Sequence, residues 1–192
     1  DEEEPVDPNV MKEGDGDVSP MPDMGDASRE PTDEDYEKAA EAKGLAMEAM
    51  GGGEFASAVE HFTTVIKLTP MAMSYANRGQ CFLKMRKPVA AIRDASKALE
   101  TNRDSGKAFK IRGKAQAMLG KWVEAAKDLG QGQNIDYDED TYEIQKEVQK
   151  HVDEMHKRDA RKKAREEARE KKRQEKLRKQ REREMAREAA EA

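Results

Sequence analysis

A pattern that returns every 33 to 34 residues constrains this chain more than any other feature. Setting Glu54-Phe55-Ala56-Ser57-Ala58, Pro88-Val89-Ala90-Ala91 and Lys121-Trp122-Val123-Glu124-Ala125 in register aligns Ala58, Ala91 and Ala125, spaced 33 and then 34 residues. Small residues recur with them at Ala46, Gly79 and Gly113, and apolar or aromatic ones at Phe55, Val89 and Trp122 and at Tyr75 and Phe109. A unit this short cannot enclose a core of its own, so its apolar face must be covered by the next unit. Apolar positions three and four apart predict helix pairs at 33–50 with 54–67, 71–84 with 88–101, and 105–118 with 121–133.

That period is the one of the tetratricopeptide repeat (TPR), a helix–turn–helix unit of roughly 34 residues. The expected fold is all-α: three TPR helix hairpins forming a right-handed superhelix, plus a capping helix extending into a long charged single helix. The repeats fall at 39–71, 72–105 and 106–138, in a domain spanning 32–137. Pro70 ends the first repeat, as a residue without an N–H should, while Arg103 and Tyr137 stand in its place later. Gly132 stands where alanine is usual, and Gly51-Gly52-Gly53 predicts a loose first turn. Residues 138–156 are expected to cap the array. Their leading carboxylates suit a helix N-terminus, and Tyr142, Ile144, Val148, Val152 and Met155 recur at helical spacing toward the third repeat.

Charge divides the chain. Of 41 acidic and 36 basic residues, the first 35 positions hold 14 and 2, the stretch from Tyr36 to His156 holds 18 of each, and the stretch from Lys157 holds 9 and 16. Residues 1–31, rich in proline, glycine and acid with little to bury, read as an acidic disordered linker. Thr32 with Asp35 reads as a capping box that starts the first helix. Residues 157–192 have no heptad seam but place opposite charges one turn apart, as in Glu167 with Lys171 and Glu175 with Lys179, so a highly charged solvent-exposed helix is expected. A basic-helix nucleic-acid binder is the alternative of another class, but nucleic acid is not expected as a partner there, because acidic residues interleave with the basic ones along the sequence and no aromatic is present to stack on bases.

The residues offer no constellation for catalysis. His61, His151 and His156 lack partners at a metal-ligand spacing, Cys81 has no base placed beside it, and Gly51-Gly52-Gly53 is not followed by Lys-Ser/Thr. No enzyme activity, metal or cofactor is expected. The single cysteine agrees with a reducing compartment, and no apolar run approaches the ~20 residues that span a bilayer, so a cytoplasmic chain without a membrane partner is expected.

A TPR superhelix lines its concave side with the first helix of each hairpin. Here those positions read Lys43, Met47 and Met50, then Met73, Asn77, Gln80 and Lys84, then Lys107, Lys110, Ile111 and Lys114. No carboxylate stands among them, so an acidic partner is favoured. One TPR subclass holds the acidic C-terminal tail of heat-shock chaperones with a clamp of Lys, Asn, Asn, Lys and Arg. Lys43, Asn77 and Lys107 match three of those places, while Met47 and Ile111 occupy the second Asn and the Arg places. Loss of the arginine removes a planar, bidentate carboxylate partner, so weak tail binding is expected.

The acidic linker, the three repeats, Lys87-Pro88-Val89-Ala90-Ala91-Ile92-Arg93-Asp94, Ile135-Asp136-Tyr137-Asp138-Glu139-Asp140, Lys146-Glu147-Val148-Gln149 and the basic mixed-charge helix follow one another in order. Over roughly residues 32–190 this succession resembles the Hip family, the Hsc70-interacting TPR co-chaperones. The resemblance implies binding to the ATPase domain of heat shock protein 70 in its ADP state, with slower ADP release and longer substrate retention. It implies contacts from Asn77, Arg78, Lys107, Lys110, Ile111 and Lys114, with Lys43 from the clamp pattern and Lys146, Lys150 and the start of the charged helix beside them. Hip-like proteins also carry an N-terminal dimerisation segment and a C-terminal Gly-Gly-Met-Pro region. Neither is found here and the chain opens without Met, so the middle of a longer, homodimeric parent is expected.

Overall fold

The computed structural model describes residues 7–12, 14 and 19–191. Thr32 opens the first helix: its hydroxyl accepts from the Asp35 N–H at 3.2 Å while the Asp35 carboxylate accepts from the Thr32 N–H at 2.9 Å. Helix α1 then runs Asp33–Gly51, followed by α2 Phe55–Leu68, α3 Ala72–Lys84, α4 Pro88–Thr101, α5 Gly106–Met118, α6 Trp122–Ile135 and α7 Glu139–Glu191. Pro88 stands in the first turn of α4, where its missing N–H costs nothing, and Ser105 caps α5 by accepting from the Ala108 N–H at 3.2 Å. Asp138 caps α7 through the Thr141 N–H at 2.7 Å. The chain divides into two compact units, Asp1–Gln149 and Lys150–Ala192.

The period is written into the backbone of the first unit. Each hairpin turn is closed by one residue of left-handed conformation, at Gly53 (φ 80), Arg86 (φ 56) and Gly120 (φ 68). Each also carries a hydrogen bond spanning six residues, from the N–H of Glu54, Lys87 and Lys121 to the carbonyls of Ala49, Phe82 and Gln116. This is the Schellman closure of a helix end. The first turn, expected to be loose because of its three glycines, has the same closure as the others, since Gly51 completes α1 and only Gly53 needs positive φ. Between hairpins the cap residues Thr69, Asn102 and Asp136 leave the helical conformation, the last two extended, and their N–H groups donate to the carbonyls of Val65, Ala98 and Gly132.

Small residues let the paired helices approach. A Cβ on Gly113 would lie 2.8 Å from Leu129 Cγ and 3.0 Å from the Leu129 nitrogen, and Ala46 is fully buried beside Ala58 and Phe62. The main core joins Ile66, Tyr75, Phe82, Ala91, Ala95, Leu99 and Ile111. Within it lies a bidentate ion pair, Arg78 with Asp94, at 2.7 and 2.8 Å and with both side chains at 0% exposure. Thirty-four residues on, Arg112 and Asp128 repeat it at 2.6 and 2.9 Å. The first hairpin has Gly44 and Glu60 at those places and no such pair.

Residues 19–31 differ from the solvated linker that composition predicts. Met21 and Met24 lie against the main core, and Gly25 (φ +67) sits so close to α2 that a Cβ would be 2.3 Å from the Ile66 carbonyl oxygen. The carbonyls of Pro22, Asp23 and Met24 accept from Arg93, Arg78 and the Tyr75 hydroxyl respectively. Upstream, the Met11 N–H donates to the Met118 carbonyl at 2.8 Å. Residues 21–25 therefore form a strap across α2, α3 and α4, and Met11 meets the end of α5. Residues 1–6, 13 and 15–18 of the expected linker lie outside the described residues.

The start of α7 covers α6 through Val148, which joins Ala125 and Leu129 in one cluster. Tyr142 and Ile144, expected on that inner face, are 40% and 36% exposed. Thr141, at 0% exposure, sits on the buried side instead, one residue out of the expected register. In the second unit every described residue from His156 on is exposed.

Candidate functional site

The first helices of the hairpins are joined side by side by a chain of polar contacts. Lys107 Nζ on α5 donates to Asn77 Oδ1 on α3 at 2.6 Å, and Asn77 Nδ2 points to Met47 Sδ on α1 at 3.8 Å. Beneath them Cys81 is buried and its thiol is pushed up to about 11 by desolvation, against the pull of Lys107, which leaves it an inert core residue. Burial also lowers the Lys107 ammonium from its usual value, opposed only by Cys81. Lys114, about two turns further along the same face of α5, is lowered by burial as well, with Asp138 and Asp140 opposing and Lys110 and Lys84 adding to the shift. No ion pair holds Lys107 or Lys114 among the described residues. A half-buried ammonium without a counter-ion is ready to accept an anionic group, because part of its desolvation is already incurred.

The other expected contacts divide. Lys43 is exposed on α1 and Lys146 on α7, where Lys146 pairs with Glu143 at 2.6 Å and lies 5.0 Å over the Tyr142 ring. Lys150 is exposed in the second unit. Among the expected contact residues Arg78, Ile111 and Lys110 are buried. Arg78 is a core residue at 0% exposure, held by Asp94, Thr63 and the strap. Ile111 is 1% exposed because the bare Gly79 lets α5 approach α3, with Ile111 Cγ2 3.5 Å from where a Cβ would stand. Lys110 is 8% exposed and neutralised by Asp136 at 3.3 Å and Asp138 at 2.7 Å.

The acidic arm on Lys110 escaped sequence reasoning, which placed Asp136 and Asp138 only at a helix start. Gln133 fixes the arm from both sides, donating to the Asp138 carbonyl at 2.7 Å and accepting from the Asp138 N–H at 2.9 Å. Desolvation raises the Asp138 carboxyl, but Lys110 and the Thr141 N–H outweigh it and bring it down to about 2. The repeated Arg–Asp pair was also missed. Its signal was present, since Arg112 and Asp128 each follow Arg78 and Asp94 by 34 residues.

Among the described residues no group of His, Cys, Asp and Glu is placed to hold a metal ion, and no helix is long and apolar enough to cross a membrane.

Among solved structures the chain is similar to the Arabidopsis OM64 TPR domain, with a TM-score of 0.58 and 28% identity over 61% of this chain and 98% of that one. It is also similar to the second TPR domain of human RPAP3 in complex with the HSP70 peptide SGPTIEEVD, with a TM-score of 0.56 and 25% identity over 60% and 98%. The three hairpins are a TPR array. No family model matches the chain. In sequence it is 50% identical over 125 residues to the TPR repeat-containing thioredoxin TDX of Arabidopsis thaliana, covering 65% of this chain and 33% of that protein. It is 42% identical over 131 residues to Hsc70-interacting protein 1 of Drosophila melanogaster, covering 68% and 35%. The chain thus spans about a third of the curated relatives' length.

Proposed function

We propose that this chain is the chaperone-binding region of a TPR co-chaperone, and that its groove docks on the ATPase domain of heat shock protein 70 in the ADP state, slowing ADP release and prolonging substrate retention. The pair of half-buried, unpaired ammonium groups at Lys107 and Lys114 carries this reading, and the 42% identity to an Hsc70-interacting protein supports it. Neither group has an ion-pair partner among the described residues, and a folded acidic surface offers several carboxylates at once. Lys43 lies along the same row of first helices, and exposed Lys146 adds a second cationic edge. No catalytic group is required. Binding slows ADP release if the closed, ADP-bound domain is held better than the open one, by about 1–3 kcal/mol of coupling.

The test is ADP release from the purified chaperone with and without this chain. Lys107→Glu with Lys114→Glu is expected to weaken binding at least about tenfold and to restore fast release. Unchanged release kinetics with this variant, its helicity intact, would exclude the groove. Lys110 is left alone, because reversal there breaks its pairs with Asp136 and Asp138.

A second reading, an adaptor for the acidic chaperone tail, is favoured by the Lys107–Asn77 contact at two of the three matching clamp places. It is disfavoured by Ile111, which is buried where the clamp requires an arginine. Separate titrations of a tail peptide and of the isolated ATPase domain discriminate the two.

A further inference from the structure

The second unit is helical to Glu191, and that geometry rearranges its charges. At about 100° per residue, one third of the circumference between Arg158 and Arg187 carries eleven lysines and arginines, one glutamine and no carboxylate. The seven acidic residues of that stretch all lie on the other two thirds. Interleaving along the sequence, which argues against a phosphate partner, becomes segregation around the helix. Lys162, Arg169, Lys172, Lys176 and Arg183 follow the middle of this stripe, and no ion pair holds them among the described residues. Lys172, Lys176, Arg183 and Gln180 also line a shallow hollow whose one carboxylate is Glu175.

The stripe has a single available driving force. It contains no apolar or aromatic residue, so it lacks the buried anchors on which a protein interface depends. Leu177 and Met185 lie off the stripe, two turns and about 80° apart with Arg181 between them, so no continuous apolar face exists to enter a bilayer surface. Without aromatics it cannot stack the bases of a single strand. What remains is neutralisation of closely spaced phosphates with release of their counterions. The stripe runs about 45 Å, a length comparable to more than one turn of a duplex groove.

We propose that this stripe binds the phosphate backbone of a nucleic-acid duplex without reading its base sequence. Eleven cations on one exposed face supply the charge; Arg173 and Lys179 at its edges and Arg187 at its end also pair with Glu170, Glu175 and Glu191. The binding is independent of the groove between α1, α3 and α5.

The experiment uses the whole chain and fluorescent duplexes of about 20 base pairs, one RNA and one DNA, read by anisotropy as salt is raised. Binding on the order of micromolar at about 50 mM salt is expected, weakening at least about tenfold by about 200 mM. Lys172→Gln with Lys176→Gln and Arg183→Gln should weaken it about tenfold or more and reduce the log–log salt slope by about 2 to 3. A control removing the same charge off the stripe, Lys163→Gln with Lys171→Gln and Arg181→Gln, should change affinity less than about threefold. Circular dichroism of both variants checks that the helix persists. Binding to RNA, DNA or both with this stripe dependence supports the proposal. Equal loss in the two variants, salt-insensitive binding, no binding at low salt, or binding to phosphatidylserine vesicles in place of either duplex overturns it.

Discussion

Arg86 holds a backbone conformation that its side chain disfavours, at φ 56, where the first and third hairpins have Gly53 and Gly120. Arg86→Gly is expected to stabilise the array by about 0.5–1 kcal/mol, read as a higher urea midpoint. Gly25 is the opposite case: Gly25→Ala adds a methyl 2.3 Å from the Ile66 carbonyl oxygen at a φ of +67, so the strap should lift off. Hydrogen exchange would show lost protection around residues 21–29 with the hairpins still protected. Arg78→Ala leaves Asp94 buried without its partner and should cost about 3–5 kcal/mol, read by urea unfolding. Arg112→Ala should cost less, because Arg112 is 25% exposed and water reaches its site. The sequence distinguishes these residues poorly. Arg78 looks like one more basic residue on a first helix, and only its 34-residue echo at Arg112 marks it as a core group.

Helix ends carry the acid sensitivity of the first unit. Asp35 is held at about 2 by the Thr32 N–H, Arg29 and the Thr32 hydroxyl, and Asp138 at about 2 by Lys110 and the Thr141 N–H once they outweigh desolvation. Both folded values lie below the ordinary 3.8, so the native state gives up protons that the unfolded chain keeps. Their contribution is complete above about pH 4 and is lost as pH falls toward about 2. Unfolding midpoints measured across that window should fall less steeply in Asp35→Asn and in Asp138→Asn than in the parent. At this scale the helices were legible, because their apolar spacing and caps are local; α1 and α4 start where expected and α4 also ends there. The inner face of α7 was not, because Tyr142 and Ile144 fit a helical stripe as well as Thr141 and Val148 do, and the choice is made by the shape of α6.

For the whole molecule, the repeat period fixed the architecture while composition misjudged the strap. Met21, Met24 and Gly25 carry no periodicity, and the surface that receives them exists only once α2 and α4 are side by side. The groove was legible as a row of positions but not in its depth, since Gly79 decides that Ile111 goes inside and the acidic arm decides that Lys110 is occupied. An array of hairpins normally frays from either end, each unit answering only to its neighbour. Here residues 21–25 touch α2 of the first hairpin and α3 and α4 of the second, and Met11 meets the close of α5 in the third. Such a belt makes the end units share the fate of the middle one, so the three hairpins should melt in a single cooperative step.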